Sequence, residues 1–114
     1  MVKTAFVPSR GDIVWLNFNP QLGHEQEGRR PAIILSPFEY NKKTGLAIAC
    51  PITSQIKNYP FEVKLPENIS VNGVIISDQV KNIAWKERKA EFICKATESV
   101  LKETVNKLRL LIEK

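Results

Sequence analysis

Apolar residues in the first three quarters of the chain come in short runs, most of them bounded by glycine, proline or asparagine. Gly11-Asp12 precedes Ile13-Val14-Trp15-Leu16-Asn17-Phe18, a β-rich run closed by Asn19-Pro20. A polar, glycine-bounded and charged stretch follows, Pro20 to Pro31, which reads as a loop. Pro31 lacks the N–H that a ladder needs, so it is expected to begin the next strand, Ala32 to Ser36, which Pro37 stops. Phe38 to Gly45 is polar enough for a helical turn, and Leu46 to Ile52 is a third strand with Pro51 marking an edge or a bulge. Phe61-Glu62-Val63-Lys64-Leu65 alternates, as a half-buried strand does. Gly73 to Ser77 and Ala90 to Ala96 are further short strands, and Val80 to Trp85 continues or turns between them.

The tail changes period. Val100, Leu101, Val105, Leu108 and Ile112 recur at helical spacing with lysines and glutamates between them. Thr97 before Glu98 is a plausible N-cap with an acid in the first turn. The stripe predicts packing on the sheet, with a dimer contact as the alternative. The whole pattern is that of a small, mainly β domain: an antiparallel barrel or half-open sheet with one C-terminal helix laid on it.

Bulk properties narrow the class. The 114 residues suffice for one compact domain, read here as spanning 1–114, and not for two. No apolar run approaches the roughly 20 residues needed to span a bilayer, and the N-terminus lacks a signal-peptide core. The expected location is therefore cytoplasmic, with no membrane partner. Cys50 and Cys94 lie far apart in apolar surroundings and are expected to be buried, reduced and inert. A single histidine and no cysteine–histidine cluster argue against a metal, and no cofactor is expected. Net charge is +5, and residues 81–114 hold nine Lys or Arg against five acids. Such an excess suits a polyanionic partner, although a solvated face would carry it equally well.

Four places put functional side chains at the ends of apolar runs: Arg29-Arg30, Thr53-Ser54-Gln55, Asp78-Gln79, and His24-Glu25-Gln26 in the loop. Strand ends that converge at one rim hold such groups in place yet open to a ligand. Each also has an ordinary explanation. Arg30 could pair with a carboxylate, Thr53 and Asp78 could serve turns, and His24 and Glu25 could be solvated.

Taken in order, the segments resemble the MazF/PemK (Kid) toxin family. They are Gly11 to Trp15, Gly23 to Gln26, Gly28 to Ala32, Pro51 to Ser54, Tyr59 to Val63, Ser77 to Lys81 and Ile83-Ala84-Trp85. Ser36-Pro37-Phe38 and Ile83-Ala84-Trp85 follow the MazF branch. The resemblance implies an SH3-like barrel of the CcdB/MazF/Kid type, usually a homodimer. It implies a ribosome-independent, sequence-specific endoribonuclease that cuts single-stranded RNA, chiefly mRNA, without metal, leaving 2′,3′-cyclic phosphate and 5′-hydroxyl ends. A cognate MazE-like antitoxin with an acidic C-terminal tail would block the groove.

Residue by residue, the resemblance makes Arg30 the cation for the phosphorane, a task that suits the planar guanidinium fork, and Thr53 its hydroxyl partner. Glu25 matches the loop acid of MazF-like members. Asp78 and His24 match the proton-transfer groups of the PemK branch, but the arginine which that branch places two residues before the aspartate is Ile76 here. Which of Glu25, His24 and Asp78 takes the proton stays open. Gln79 carries over as an RNA contact, with Arg29, Lys57, Tyr59 and Lys81 as further RNA-binding candidates. The main alternative is a CcdB-like toxin that poisons gyrase and cuts nothing. A third reading is an RNA-binding module without turnover.

Overall fold

The structure is a computed structural model that describes residues 6–18 and 28–113. Seven strands and two helices follow one another as β1 (Asp12–Asn17), β2 (Arg29–Ile34), α1 (Phe38–Thr44), β3 (Leu46–Thr53), β4 (Glu62–Lys64), β5 (Val74–Ile76), β6 (Lys81–Ala84), β7 (Glu91–Lys95) and α2 (Glu98–Ile112). Every pairing is antiparallel. The strands run in the order β4-β5-β3-β2-β1-β7, with β6 added to β3. This is the mainly β architecture with a terminal helix that the pattern predicts.

Strand β3 organises the sheet. One edge pairs with β2, and the other pairs first with β6 over Leu46–Ala49 and then with β5 over Ile52–Thr53. Pro51 was expected to mark an edge or a bulge, yet it lies within this central strand. It sits where the second edge has no partner, after β6 ends and before β5 begins, so a missing N–H is tolerated there.

The apolar runs are near-continuous because both faces of the strands are covered. Ile13, Ile33, Cys50, Ile52 and Ile75 pack in one cluster with Val100 of α2, while Val14, Leu16, Ala32, Ile34 and Trp85 fill a second. Neighbours such as Ile33 and Ile34 thus point to opposite cores and are both fully buried.

Two expectations need correction, on β2 and α2, while the helical turn expected after Pro37 is present. Strand β2 starts at Arg29, two residues before Pro31. Pro31 faces Trp15 of β1, but β2 gains its β3 partner only from Ala32, so at Pro31 one side of the strand is still unpaired. Phe38 to Thr44 is a seven-residue helix, ended by Gly45 in the left-handed region at φ 75°. Its polarity conceals a buried residue: Asn41 is fully enclosed and donates to the carbonyls of Pro8 and Ser36. Its own carbonyl accepts from the Trp85 indole.

Finally, α2 buries only part of its predicted stripe. Thr97 caps it as expected, accepting from Val100 N–H. Val100 is buried, and Leu101, Val105 and Leu108 pack on the core, but Ile112 is 72% exposed. Thr104 is buried in the inner face instead, where its hydroxyl donates to Val100 O at 2.8 Å. Among the described residues no helix is long and apolar enough to cross a membrane.

Candidate active site

The β2–β3 register pairs Ala32 with Pro51, Ile33 with Cys50 and Ile34 with Ala49. Continued two residues past its last pair, that register sets Arg30 across from Thr53. Both belong to their strands, and both lie on the side of the sheet that carries Ala32 and Ile34. Arg30 pairs with Leu16 of β1, which fixes its backbone from that side.

Thr53 is buried at 4% exposure. Its hydroxyl oxygen accepts from the Gln55 N–H at 3.2 Å, which turns the chain out of β3. The same residue is pressed from β5, where Thr53 pairs with Val74. The preceding Gly73 has φ +118°, and a Cβ there would stand 2.1 Å from the Thr53 carbonyl oxygen. Only glycine permits that approach.

Beyond Thr53 opens a cleft of about 560 Å³. Six residues singled out by sequence line it: Thr53, Gln55, Lys57, Tyr59, Asp78 and Gln79. Asp78 and Gln79 are held in the turn after β5, where Gln79 N–H donates to Ile76 O. The Tyr59 hydroxyl donates to Asp78 Oδ2 at 2.5 Å, and that bond raises the phenol above its ordinary range. Tyr59 also tilts against Phe61, with ring centres 5.8 Å apart. Beneath Asp78, burial first and the carboxylate second push the Cys50 thiol up to about 12, so it is inert at neutral pH, as expected. Cys94 is only half-buried, against the expectation that both thiols are enclosed.

Two acceptor atoms of the cleft residues, Asp78 Oδ1 and Gln79 Oε1, are buried without a partner among the described residues.

Arg30, Arg29 and Lys81 are not among the residues lining the cleft. Arg29 spans the sheet end, donating to Asn17 Oδ1, Lys89 O and Glu91 Oε1. Lys81 opens β6 opposite Ala49. His24 and Glu25 lie outside the described residues. Among those described, no group of three or more His, Cys, Asp or Glu side chains is placed to hold a metal ion.

Sequence reasoning missed two residues that shape the cleft. Glu62 lines it and accepts the Lys57 N–H at 3.0 Å, fixing the loop that carries Lys57. Read from the alternation of its strand, it was merely an outward-facing position. Gly73 was noted only as the start of a strand, because nothing in the sequence shows which backbone will approach it.

The likeness to known proteins is extensive. Residues 9–112 match the family model described as PemK-like, MazF-like toxin of type II toxin-antitoxin system. The chain is 52% identical over 85 residues to the endoribonuclease toxin MazF of Escherichia coli K12, covering 75% of this chain and 76% of that protein. It is 31% identical over 107 residues to the endoribonuclease PemK of Escherichia coli, covering 90% and 80%. The crystal structure of MazF from Deinococcus radiodurans superposes with a TM-score of 0.94 at 50% identity, covering 96% of this chain and all of that one. A MazE–MazF complex from the same organism gives 0.87 at 51% identity, covering 95% and 97%. These relatives lend the gyrase-poison alternative no support. The extent of the family match and the level of identity together settle the kinship: this chain belongs to the PemK-like, MazF-like toxins of type II toxin–antitoxin systems.

Proposed function

We propose that the chain is a ribosome-independent, sequence-specific endoribonuclease that cuts single-stranded RNA, chiefly mRNA, as the toxin of a toxin–antitoxin pair. The observation that carries the reading is a buried, turn-held hydroxyl, Thr53, at the head of the cleft, with Arg30 across from it when the β2–β3 register is extended two residues past its last pair. Its relatives' names as endoribonucleases support the same conclusion.

The chemistry needs no enzyme nucleophile. The substrate's own 2′-hydroxyl forms the new P–O bond as the bond to the 5′-oxygen breaks, giving a 2′,3′-cyclic phosphate and a free 5′-hydroxyl. One proton leaves the 2′-oxygen and one reaches the 5′-oxygen. Arg30 neutralises the charge that builds on the equatorial phosphate oxygens. Thr53 has already accepted the Gln55 N–H, so its own proton is left to donate to a phosphate oxygen.

In Asp78 one carboxylate oxygen holds Tyr59 and the other is enclosed, which suits substrate contact better than proton shuttling. Proton transfer then falls to Glu25 and His24. Tyr59, exposed beside Phe61, offers a stacking face for a base, and Lys57 meets phosphate. Lys81 adds positive charge at the start of β6. Arg29, engaged by Asn17 and Glu91, supports the strand end rather than the RNA.

The protein acts in the cytoplasm, without a resident metal, as a homodimer, and a MazE-like antitoxin with an acidic C-terminal tail neutralises it; the MazE–MazF complexes of its relative support that partner. Incubation of the purified protein with mixed-sequence RNA in EDTA tests the reading. Discrete fragments are expected, and intact RNA at micromolar protein contradicts it.

A further inference from the structure

Resting on that reading, we infer that Asp78 and Gln79 form an acceptor pair that selects an RNA base by its exocyclic amino group and rejects uracil at one position of the cleavage motif. The two residues are consecutive, both line the cleft, and Asp78 Oδ1 and Gln79 Oε1 are both enclosed without a donor among the described residues. Enclosed acceptors lose their water hydrogen bonds, so a native site keeps two side by side only where something else brings the donors. Among the described residues none brings them. Tyr59 has spent its single proton on Asp78 Oδ2, and the Gln79 N–H is turned to Ile76 O.

The edge that fits two acceptors is one that carries N–H groups. Adenine and cytosine each present an amino group on the Watson–Crick edge, and guanine presents an amino group beside a ring N–H. A glutamine amide adds its own N–H donor to its acceptor, the pattern that pairs with adenine, while a carboxylate accepts from the amino group of cytosine. Uracil presents one N–H between two carbonyl oxygens, so any approach that satisfies one acceptor drives a carbonyl against the other. The cleft volume of about 560 Å³ leaves room for a nucleotide against this wall. Tyr59 beside it supplies a stacking face that every base shares, so discrimination rests with the acceptors.

The test begins by mapping cleavage sites of the wild-type protein on a long RNA, then placing amino-free analogues in a short substrate that carries the mapped motif. Purine riboside replaces adenosine, pyrimidin-2-one riboside replaces cytidine, and inosine replaces guanosine. At one motif position, where uridine is excluded, removal of the amino group is expected to lower kcat/KM roughly 5- to 100-fold. Gln79→Glu, which keeps the acceptor, should retain that preference. Gln79→Met, which removes it, should cut analogue and parent alike. If every amino-free substrate is cut as fast as its parent, the acceptor pair is satisfied by water and the inference falls, while the nuclease reading stands. If the wild-type protein cuts no RNA, it is the nuclease reading that falls.

Discussion

The phenol of Tyr59 donates to Asp78 Oδ2 at 2.5 Å, tying the loop after β3 to the turn after β5 across the mouth of the cleft. Tyr59 is 44% exposed, so the bond contributes little to folding and much to placing the carboxylate. In Tyr59→Phe the ring and its contact with Phe61 remain and only the donor is lost. Stability should be essentially unchanged, as at other surface sites. KM for RNA should rise several-fold with kcat nearly unchanged, and steady-state kinetics on a short substrate check this. Tyr59→Ala should weaken RNA binding further, because the stacking face goes as well.

Gly73 and Gly45 separate positioning from stability. Both have positive φ, at +118° and +75°, so alanine strains the backbone at each, by about 1–2 kcal/mol in the left-handed region. Around Gly45 there is open space, whereas a Cβ at Gly73 would meet the Thr53 carbonyl at 2.1 Å and Ser54 Cα at 3.0 Å. Gly45→Ala should lower the melting temperature and leave cleavage intact. Gly73→Ala should lower both, with kcat falling about 100-fold for a displacement of Thr53 near 1 Å. Thermal melts run beside single-turnover cleavage distinguish the two.

The Cys50 thiol sets an alkaline limit. Its pKa is raised from 9.0 to about 12 by burial and by the charge of Asp78. Between those values the unfolded chain gives up a proton that the folded chain keeps. Cys50 therefore contributes stability that is fully present below pH 9 and is lost as pH rises towards 12. Urea melts across this range should show stability falling with pH, and Cys50→Ala should flatten part of the slope. At pH 7.5 a thiol reagent should label the half-buried Cys94 in the native protein and reach Cys50 only after unfolding.

Asp12 closes the other end of the sheet. It accepts from Ser9 N–H and pairs with Lys95 Nζ at 2.6 Å, with its own side chain 6% exposed and the lysine 59%. Because the lysine reaches solvent, Asp12→Ala should destabilise by about 2 kcal/mol, less than loss of a fully buried pair. It should leave kcat/KM unchanged at temperatures where the protein is folded, since Asp12 is not among the residues that line the cleft.

Much of this fold is legible in the sequence because punctuation and period coincide. Gly11 precedes β1, Gly73 opens the run of β5, and Thr97 caps α2. What escapes is set by partners that a linear reading lacks. Pro31 looks like a strand start and Pro51 like an edge or a bulge, and each occupies a stretch where, among the described residues, one edge of its strand is unpaired. Asn41 looks like surface and is buried, because Pro8, Ser36 and Trp85 satisfy it. Ile112 looks like core and is exposed, as are Leu110 and Leu111 beside it in the last turn of α2. In the site, Thr53, Asp78 and Gln79 were visible as polar residues ending apolar runs. Their orientation by Gly73 and Tyr59 was not, because both contacts are long-range.

The central claim is a cut made by the substrate's own 2′-hydroxyl with Arg30 stabilising the charge. End-group analysis of RNA fragments, made in EDTA by wild type and by a folded Arg30→Ala variant, tests it most directly. The proposed chemistry predicts 2′,3′-cyclic phosphate and 5′-hydroxyl ends from the wild type. It predicts a loss of at least about 100-fold in kcat from the variant, the range for removing one group that stabilises transition-state charge. Ends bearing 3′-hydroxyl and 5′-phosphate, or an Arg30→Ala variant that cuts at the wild-type rate, would contradict it.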